Sequence, residues 1–132
     1  MSQENVEVVQ RAYQAFAEGD LTALLSEFAP DVVSYTAPPL PDPAEYHGHD
    51  GLMQWMGNWT EGFDEFAMEV EEYTDTGDDV VVQAYQRGTG AGSGAPAERR
   101  FWFLNTVRED KITRIGVHAT EAEALEAVGL SE

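Results

Sequence analysis

ERRFWFLNTVREDKITRIGVHA, residues 98–119, is the stretch that decides the fold. Residues 98–108 and 112–119 read as strands because apolar and polar side chains alternate along them. Glu109-Asp110 lies between the two strands and fits a tight hairpin turn. By the two-residue period of a strand, one face of the first strand carries Phe101, Phe103 and Asn105, and the other carries Trp102, Leu104 and Thr106. The stretch therefore predicts two neighbouring antiparallel strands.

The chain before this stretch predicts further strands. Residues 66–71 alternate between apolar and polar side chains, and residues 80–86 contain an apolar run. Short turn-like segments at 75–79 and 88–97 connect them, so we expect an antiparallel meander. Residues 32–36 predict one more short strand, and the four prolines within 37–45 indicate a loop after it.

Helical patterns come first in the chain. Residues 2–18 show apolar side chains at helical spacing, and Gly19 is placed to end that helix. Asp20 can cap a second helix that we expect Pro30 to stop. A third helix is predicted to begin near His49 or Asp50, and a terminal one at the capping box Thr120-x-x-Glu123. We therefore predict one α+β domain over residues 1–132, with N-terminal helices covering one face of a curved antiparallel sheet and a pocket between the two layers.

The charge of the chain excludes some partners. It has 25 acidic and 7 basic residues, for a net charge of -18. Such a surface repels phosphate backbones and anionic headgroups, so we expect no nucleic-acid partner and no membrane partner. The absence of cysteine and of a visible signal peptide favours a cytoplasmic location.

Several short segments, in order and at family-like spacing, carry a resemblance to a known family. They are residues 5–13, Gly19-Asp20-Leu21, Pro30-Asp31-Val32, Tyr46-His47-Gly48, the Gly-rich segment 88–94, Arg108-Glu109-Asp110-Lys111-Ile112 and residues 123–130. With these segments the chain resembles the SnoaL-like group of the nuclear transport factor 2-like superfamily. The resemblance implies a cone-shaped, cystatin-like α+β roll that uses no cofactor and no metal. It also implies a homodimer through the outer sheet face, which would need exposed apolar residues such as Trp102 and Leu104.

A set of aromatic and amide side chains is the candidate ligand site. As a group these residues suit a pocket for a flat or apolar small molecule, and the alternative for each is ordinary core packing. The predicted ligand-binding residues are Tyr13, Phe16, Tyr35, Trp55, Trp59, Phe101, Phe103 and Asn105.

The sequence assigns no reaction. The resemblance implies catalytic acids at positions that hold Thr36, the stretch Phe103-Leu104-Asn105 and Thr120 in this chain. His118 is the candidate general acid or base if it faces inward, but it faces outward if Ile115 and Val117 face the core. Two hypotheses stay open: a protein that binds a small hydrophobic molecule without catalysis, and a cofactor-independent cyclase, isomerase or hydrolase.

Two charged segments have alternative explanations. His47-Gly48-His49-Asp50 contains metal-ligand residue types, but a surface loop with Asp50 capping the third helix explains it better. Arg99 and Arg100 stand out in so acidic a chain. We expect one of them to pair with a carboxylate of the protein, and a substrate carboxylate is the alternative partner.

Overall fold

The computed structural model describes residues 2–40, 43–61, 63–90, 94 and 96–131. Its elements follow one another along the chain as α1 (Ser2–Glu18), α2 (Leu21–Ser26), β1 (Phe28–Thr36), β2 (Ala44–His47), α3 (Gly48–Thr60), β3 (Phe63–Asp75), β4 (Asp79–Gly90), β5 (Pro96–Arg108), β6 (Lys111–His118) and α4 (Glu121–Ser131). The fold is α+β, as predicted. Among the described residues, no helix is both long and apolar enough to cross a bilayer.

α1 ends, and α2 begins, where the sequence predicts. Gly19 terminates α1 with φ +71°, a conformation that glycine adopts without a steric penalty. The Asp20 carboxylate accepts a hydrogen bond from the backbone N–H of Ala23 at 3.1 Å and so caps α2. Pro30 does not stop α2, because that helix already ends at Ser26 and Pro30 lies within β1.

Six strands form one curved sheet in the order β2-β1-β6-β5-β4-β3. The segment from β3 to β6 is the antiparallel meander that the alternation predicts. Glu109 and Asp110, with φ of 52° and 63°, make the tight turn between β5 and β6. Register shifts mark bulges in β1, β3 and β6, and bulges bend strands and increase their twist.

Two features of the sheet differ from the prediction. β1 pairs with β6 in parallel, so the sheet is mixed rather than wholly antiparallel. β2 begins at Ala44, at the end of the stretch that its prolines indicated as a loop, and it is a four-residue edge strand on β1. An edge strand tolerates prolines immediately before it because one of its sides needs no hydrogen-bond partner.

The core lies between the concave face of the sheet and helices α1 to α3. Val9 of α1, Leu52 of α3 and Val82 of β4 are fully buried there. A smaller cluster lies on the opposite, outer face, where Ala124 of α4 packs on Val81 and Leu104. Leu104 is therefore covered by the chain's own C-terminal helix. A dimer interface on this part of the sheet would need Leu104 to be exposed, so that expectation is wrong for Leu104.

Candidate functional site

Two tryptophans of α3 divide the space between the helices and the sheet. Trp55 and Trp59 lie one helical turn apart, so both indoles point to the same side. The Trp55 Nε1–H donates to Thr36 Oγ1 at 3.0 Å, and the Trp59 Nε1–H donates to Gln86 Oε1 at 2.6 Å. These bonds join α3 to β1 and to β4. Two cavities share the indoles as a wall.

The inner cavity is small and almost wholly apolar. Its volume is about 60 Å³, so it suits a small apolar group and not a whole drug-sized ligand. Its walls come from α1, α2, α3 and the concave face of the sheet. They are Ala12, Tyr13, Phe16, Leu24, Phe28, Leu52, Trp55, Met56, Trp59, Thr60, Phe66, Met68, Phe103 and Ile115.

The chamber is the larger cavity, on the side of the indoles that faces β2 and the ends of β4 and β5. Its volume of about 580 Å³ falls within the usual range of small-molecule sites. The Phe101 ring packs edge-on to Trp59 with centroids 4.9 Å apart, and the Arg99 guanidinium lies 5.1 Å from the Phe101 centroid. The lining residues are Thr36, Leu40, Tyr46, Trp55, Asn58, Trp59, Glu61, Phe63, Gln86, Arg99 and Phe101.

Six of the eight predicted ligand-binding residues line these cavities. Tyr13, Phe16 and Phe103 line the inner cavity, and Phe101 lines the chamber. Trp55 and Trp59 line both. The structure thus brings these six side chains together, while their contact with a ligand stays a prediction.

Asn105 lies behind Tyr13 and lines neither cavity. Its side chain is completely buried, and its Nδ2 donates to Tyr13 Oη and to the Phe103 carbonyl, each at 3.3 Å. Burial raises the pKa of Tyr13 well above its ordinary value of 10, against a smaller lowering by the Asn105 hydrogen bond. Tyr13 is therefore a neutral hydroxyl at physiological pH, and Asn105 orients it.

Tyr35 and His118 lie on the outer face of the sheet, so the expectation that Tyr35 lines the interior pocket is wrong. Tyr35 Oη and His118 Nε2 are 2.7 Å apart, and the Arg114 guanidinium lies 4.6 Å from the Tyr35 ring centroid. Tyr35 pairs with Gly116 on β6, and paired residues of neighbouring strands share a face. The bulge between Phe28 and Val33 contributes to setting which residues of β1 face outward.

His118 faces outward because Ile115 and Val117 are on the core side. Burial lowers the pKa of His118 below 6.5, partly opposed by the charge of Glu123. The imidazole is therefore neutral at pH 7. Since it borders neither interior cavity, it is not placed to transfer a proton to a molecule bound there.

The His47–Asp50 segment has local partners. His47 Nε2 is 3.2 Å from Glu45 Oε1 at the surface, and His49 Nε2 is 3.0 Å from the Phe28 carbonyl oxygen. α3 begins at Gly48, one residue before His49 and two before Asp50, the predicted starts, and Asp50 lies in its first turn instead of capping it. Within the described part of the chain, no three His, Asp or Glu side chains are grouped as metal ligands would be.

Gln86, Thr36 and Glu61 are among the polar residues of the chamber that the sequence did not indicate as ligand contacts. Gln86 follows Val80, Val82 and Ala84 at two-residue spacing on a buried face, so strand alternation could have indicated it. In the sequence, Thr36 was noted only because it occupies a position at which the resemblance implies a catalytic acid. Glu61 directly follows α3, and no local pattern places it at the chamber.

Comparisons with known proteins agree with this architecture. A model of the SnoaL-like domain matches residues 9–115. The uncharacterized protein Rv0034 of Mycobacterium tuberculosis is 27% identical over 124 residues, which are 93% of this chain and 94% of that protein.

Two solved structures are similar throughout. An NTF2-like protein of unknown function from Burkholderia pseudomallei has a TM-score of 0.77 at 24% identity, over 93% of this chain and 95% of that one. TerC co-crystallized with polyporic acid has a TM-score of 0.77 at 22% identity, over 96% of this chain and 98% of that one. At such identities the likeness shows a shared cone-shaped fold and nothing finer.

Proposed function

Because the chain belongs to the SnoaL-like domain family, we propose that it binds a small, largely apolar molecule inside the cone. The ligand lies in the chamber against Trp55, Trp59 and Phe101. The observation that carries the proposal is the chamber itself, whose volume of about 580 Å³ suits a small organic molecule.

The wall chemistry supports a flat or apolar ligand. Indole and phenyl rings bury a large apolar area and offer faces for stacking. The similar structure of TerC was obtained with polyporic acid, so at least one protein of this fold has been crystallized with a small molecule.

A cofactor-independent enzyme is the second candidate, and Glu61 favours it. Among the described residues that line the two cavities, Glu61 has the only carboxylate, the group that acid–base catalysis would need. The positions at which the resemblance implies catalytic acids hold Thr36, the stretch Phe103-Leu104-Asn105 and Thr120, and none of these side chains is an acid. Binding without catalysis therefore remains our first proposal.

A fluorescence titration with naphthalene tests the binding proposal. We expect saturable quenching of tryptophan emission, because two of the three tryptophans line the chamber. Trp59→Ala should weaken binding by about tenfold through the loss of an apolar wall. Trp102→Phe is the matched control, since Trp102 packs with the outer-face cluster under α4. An absence of saturable quenching, or equal losses in both variants, would contradict the proposal.

Native mass spectrometry separates binding from catalysis. A co-purifying molecule that is recovered unchanged after incubation with fresh protein supports binding alone. A molecule that is converted supports the enzyme, and conversion should then stop in Glu61→Gln.

A further inference from the structure

Gln86 presents an unused donor to the chamber. The residue is 4% exposed, and an indole N–H can only donate, so Trp59 holds the Gln86 Oε1 as its acceptor. This bond turns the amide so that Nε2 is the free end. Neither Nε2 proton has an acceptor within the described part of the chain. A buried amide nitrogen in this situation favours a ligand oxygen as its partner.

Thr36 has the same property on the opposite wall. Its side chain is 8% exposed, and its Oγ1 accepts the Trp55 Nε1–H at 3.0 Å. The hydroxyl proton is left to donate, and no described residue accepts it. By the strand pairings Thr36 is level with Val82 of β4, so it lies three strands away from Gln86 and contacts a different part of the chamber.

Arg99 adds a positive charge next to Gln86. The two residues are cross-strand partners, Gln86 on β4 and Arg99 on β5, and both side chains border the chamber. Arg100 points to the other face, where its Nε is 2.7 Å from Glu71 Oε1. Arg99, by contrast, has no carboxylate within 4.0 Å among the described residues.

These three side chains all offer protons, and no other partner in the described chain takes them. The chamber's carboxylate, Glu61, is exposed at its rim, where water screens it, whereas Gln86 and Thr36 are buried. A site made of donors and one cation complements an oxygen group that only accepts and carries negative charge.

We propose that the ligand of the chamber carries an anionic oxygen group, such as a carboxylate, that Arg99 and Gln86 bind, while Thr36 donates to another part of the same ligand. The proposal rests on the proposed function, since it describes the polar end of the same apolar ligand. It runs against the net charge of -18, which repels anions. Preference for an anion must therefore come from the local donors.

Three naphthalene compounds test this. 2-Naphthoate, 2-(aminomethyl)naphthalene and naphthalene share one ring system and are respectively anionic, cationic and neutral at neutral pH. We expect 2-naphthoate to bind at least about tenfold more tightly than either of the others in about 0.15 M KCl, as charge-assisted hydrogen bonds require.

Matched variants locate the effect. Arg99→Gln should weaken 2-naphthoate binding by about tenfold and leave naphthalene binding unchanged. Arg100→Gln removes the same charge one residue away on the opposite face and should change neither. Gln86→Glu keeps an acceptor for Trp59 but removes the amide protons, so it should also lose the preference for the anion. Since Arg99 is exposed, its variant keeps the test valid even where Gln86→Glu does not fold.

The outcomes separate the two proposals. Naphthalene that binds as tightly as 2-naphthoate overturns the anionic group and leaves the apolar site standing. Equal effects of Arg99→Gln and Arg100→Gln also overturn it, because any positive charge on the protein would then attract the anion equally well. Failure of all three compounds to bind overturns the site and the anionic group together.

Discussion

At the scale of single residues, the indole N–H groups of Trp55 and Trp59 decide which polar atoms face the chamber. Each occupies the acceptor of one neighbour and leaves that neighbour's protons free. The aromatic residues were predictable because they are rare and apolar. The roles of Thr36 and Gln86 were not, because they depend on partners 19 and 27 residues away.

Gly116 gives a test of how the outer face is packed. A Cβ atom there would lie 1.9 Å from Tyr35 Cζ, so the Tyr35 ring lies directly over this glycine. Gly116→Ala should lower the free energy of unfolding by about 1–3 kcal/mol, measured by urea denaturation, because the ring must move.

Gly57→Ala is the control for that substitution. Gly57 lies inside α3, and a Cβ atom added to it would meet no atom within 4 Å, so alanine there should stabilise the protein by about 0.5–1 kcal/mol. A Gly116→Ala variant as stable as the parent protein would contradict the position of the Tyr35 ring.

At the scale of elements, α4 changes the character of the outer sheet face. Its Ala124 packs on Val81 and Leu104, and strand alternation had correctly placed Leu104 on the face opposite Phe101 and Phe103. The sequence predicted both the strand face and the helix. It did not predict that one covers the other, because the place where a helix docks is set by long-range packing and not by its own pattern.

The N-terminal cap of α4 is a testable part of that packing. Thr120 Oγ1 accepts the Glu123 backbone N–H at 3.2 Å, which is the N-cap bond of the predicted capping box. The Glu123 carboxylate accepts from the Thr120 hydroxyl at 2.9 Å, whereas a full capping box would have it accept from the Thr120 backbone N–H. Thr120→Ala should cost about 1 kcal/mol in the free energy of unfolding, measured by urea denaturation. Thr120→Ser retains the hydroxyl and should cost much less, so equal losses in the two variants would count against the cap.

At the scale of the whole molecule, the homodimer stays a prediction. The surface through which we expect it to form is now a different part of the outer sheet face. Leu104 is buried under α4, so the uncovered part of the outer face is a groove on β1 and β6 that includes Val33, Tyr35, Arg114 and His118. An isologous contact would place this groove against its own copy. The cytoplasmic location likewise stays a prediction.

Salt should favour such a dimer. Two chains of net charge -18 repel each other, and the screening length falls from about 10 Å at 0.1 M salt to about 3 Å at 1 M. Light scattering should therefore give a mass near twice 14.6 kDa, and the fraction of dimer should persist or increase as the KCl concentration is raised. A mass of one chain at every KCl concentration and at high protein concentration would contradict the dimer.

The sequence by itself determined the α+β class and the order of the elements from β3 to α4. It also determined the caps at Asp20 and Thr120 and which residues share each face of β5. These follow from local periodicity and local hydrogen bonds, which act within a few residues. Only the tertiary structure decided that β1 lies parallel to β6, that Tyr35 faces outward, and that Thr36, Gln86 and Arg99 meet at one chamber. Alternation says which residues of a strand share a face, whereas long-range pairing and bulges decide which face meets the core.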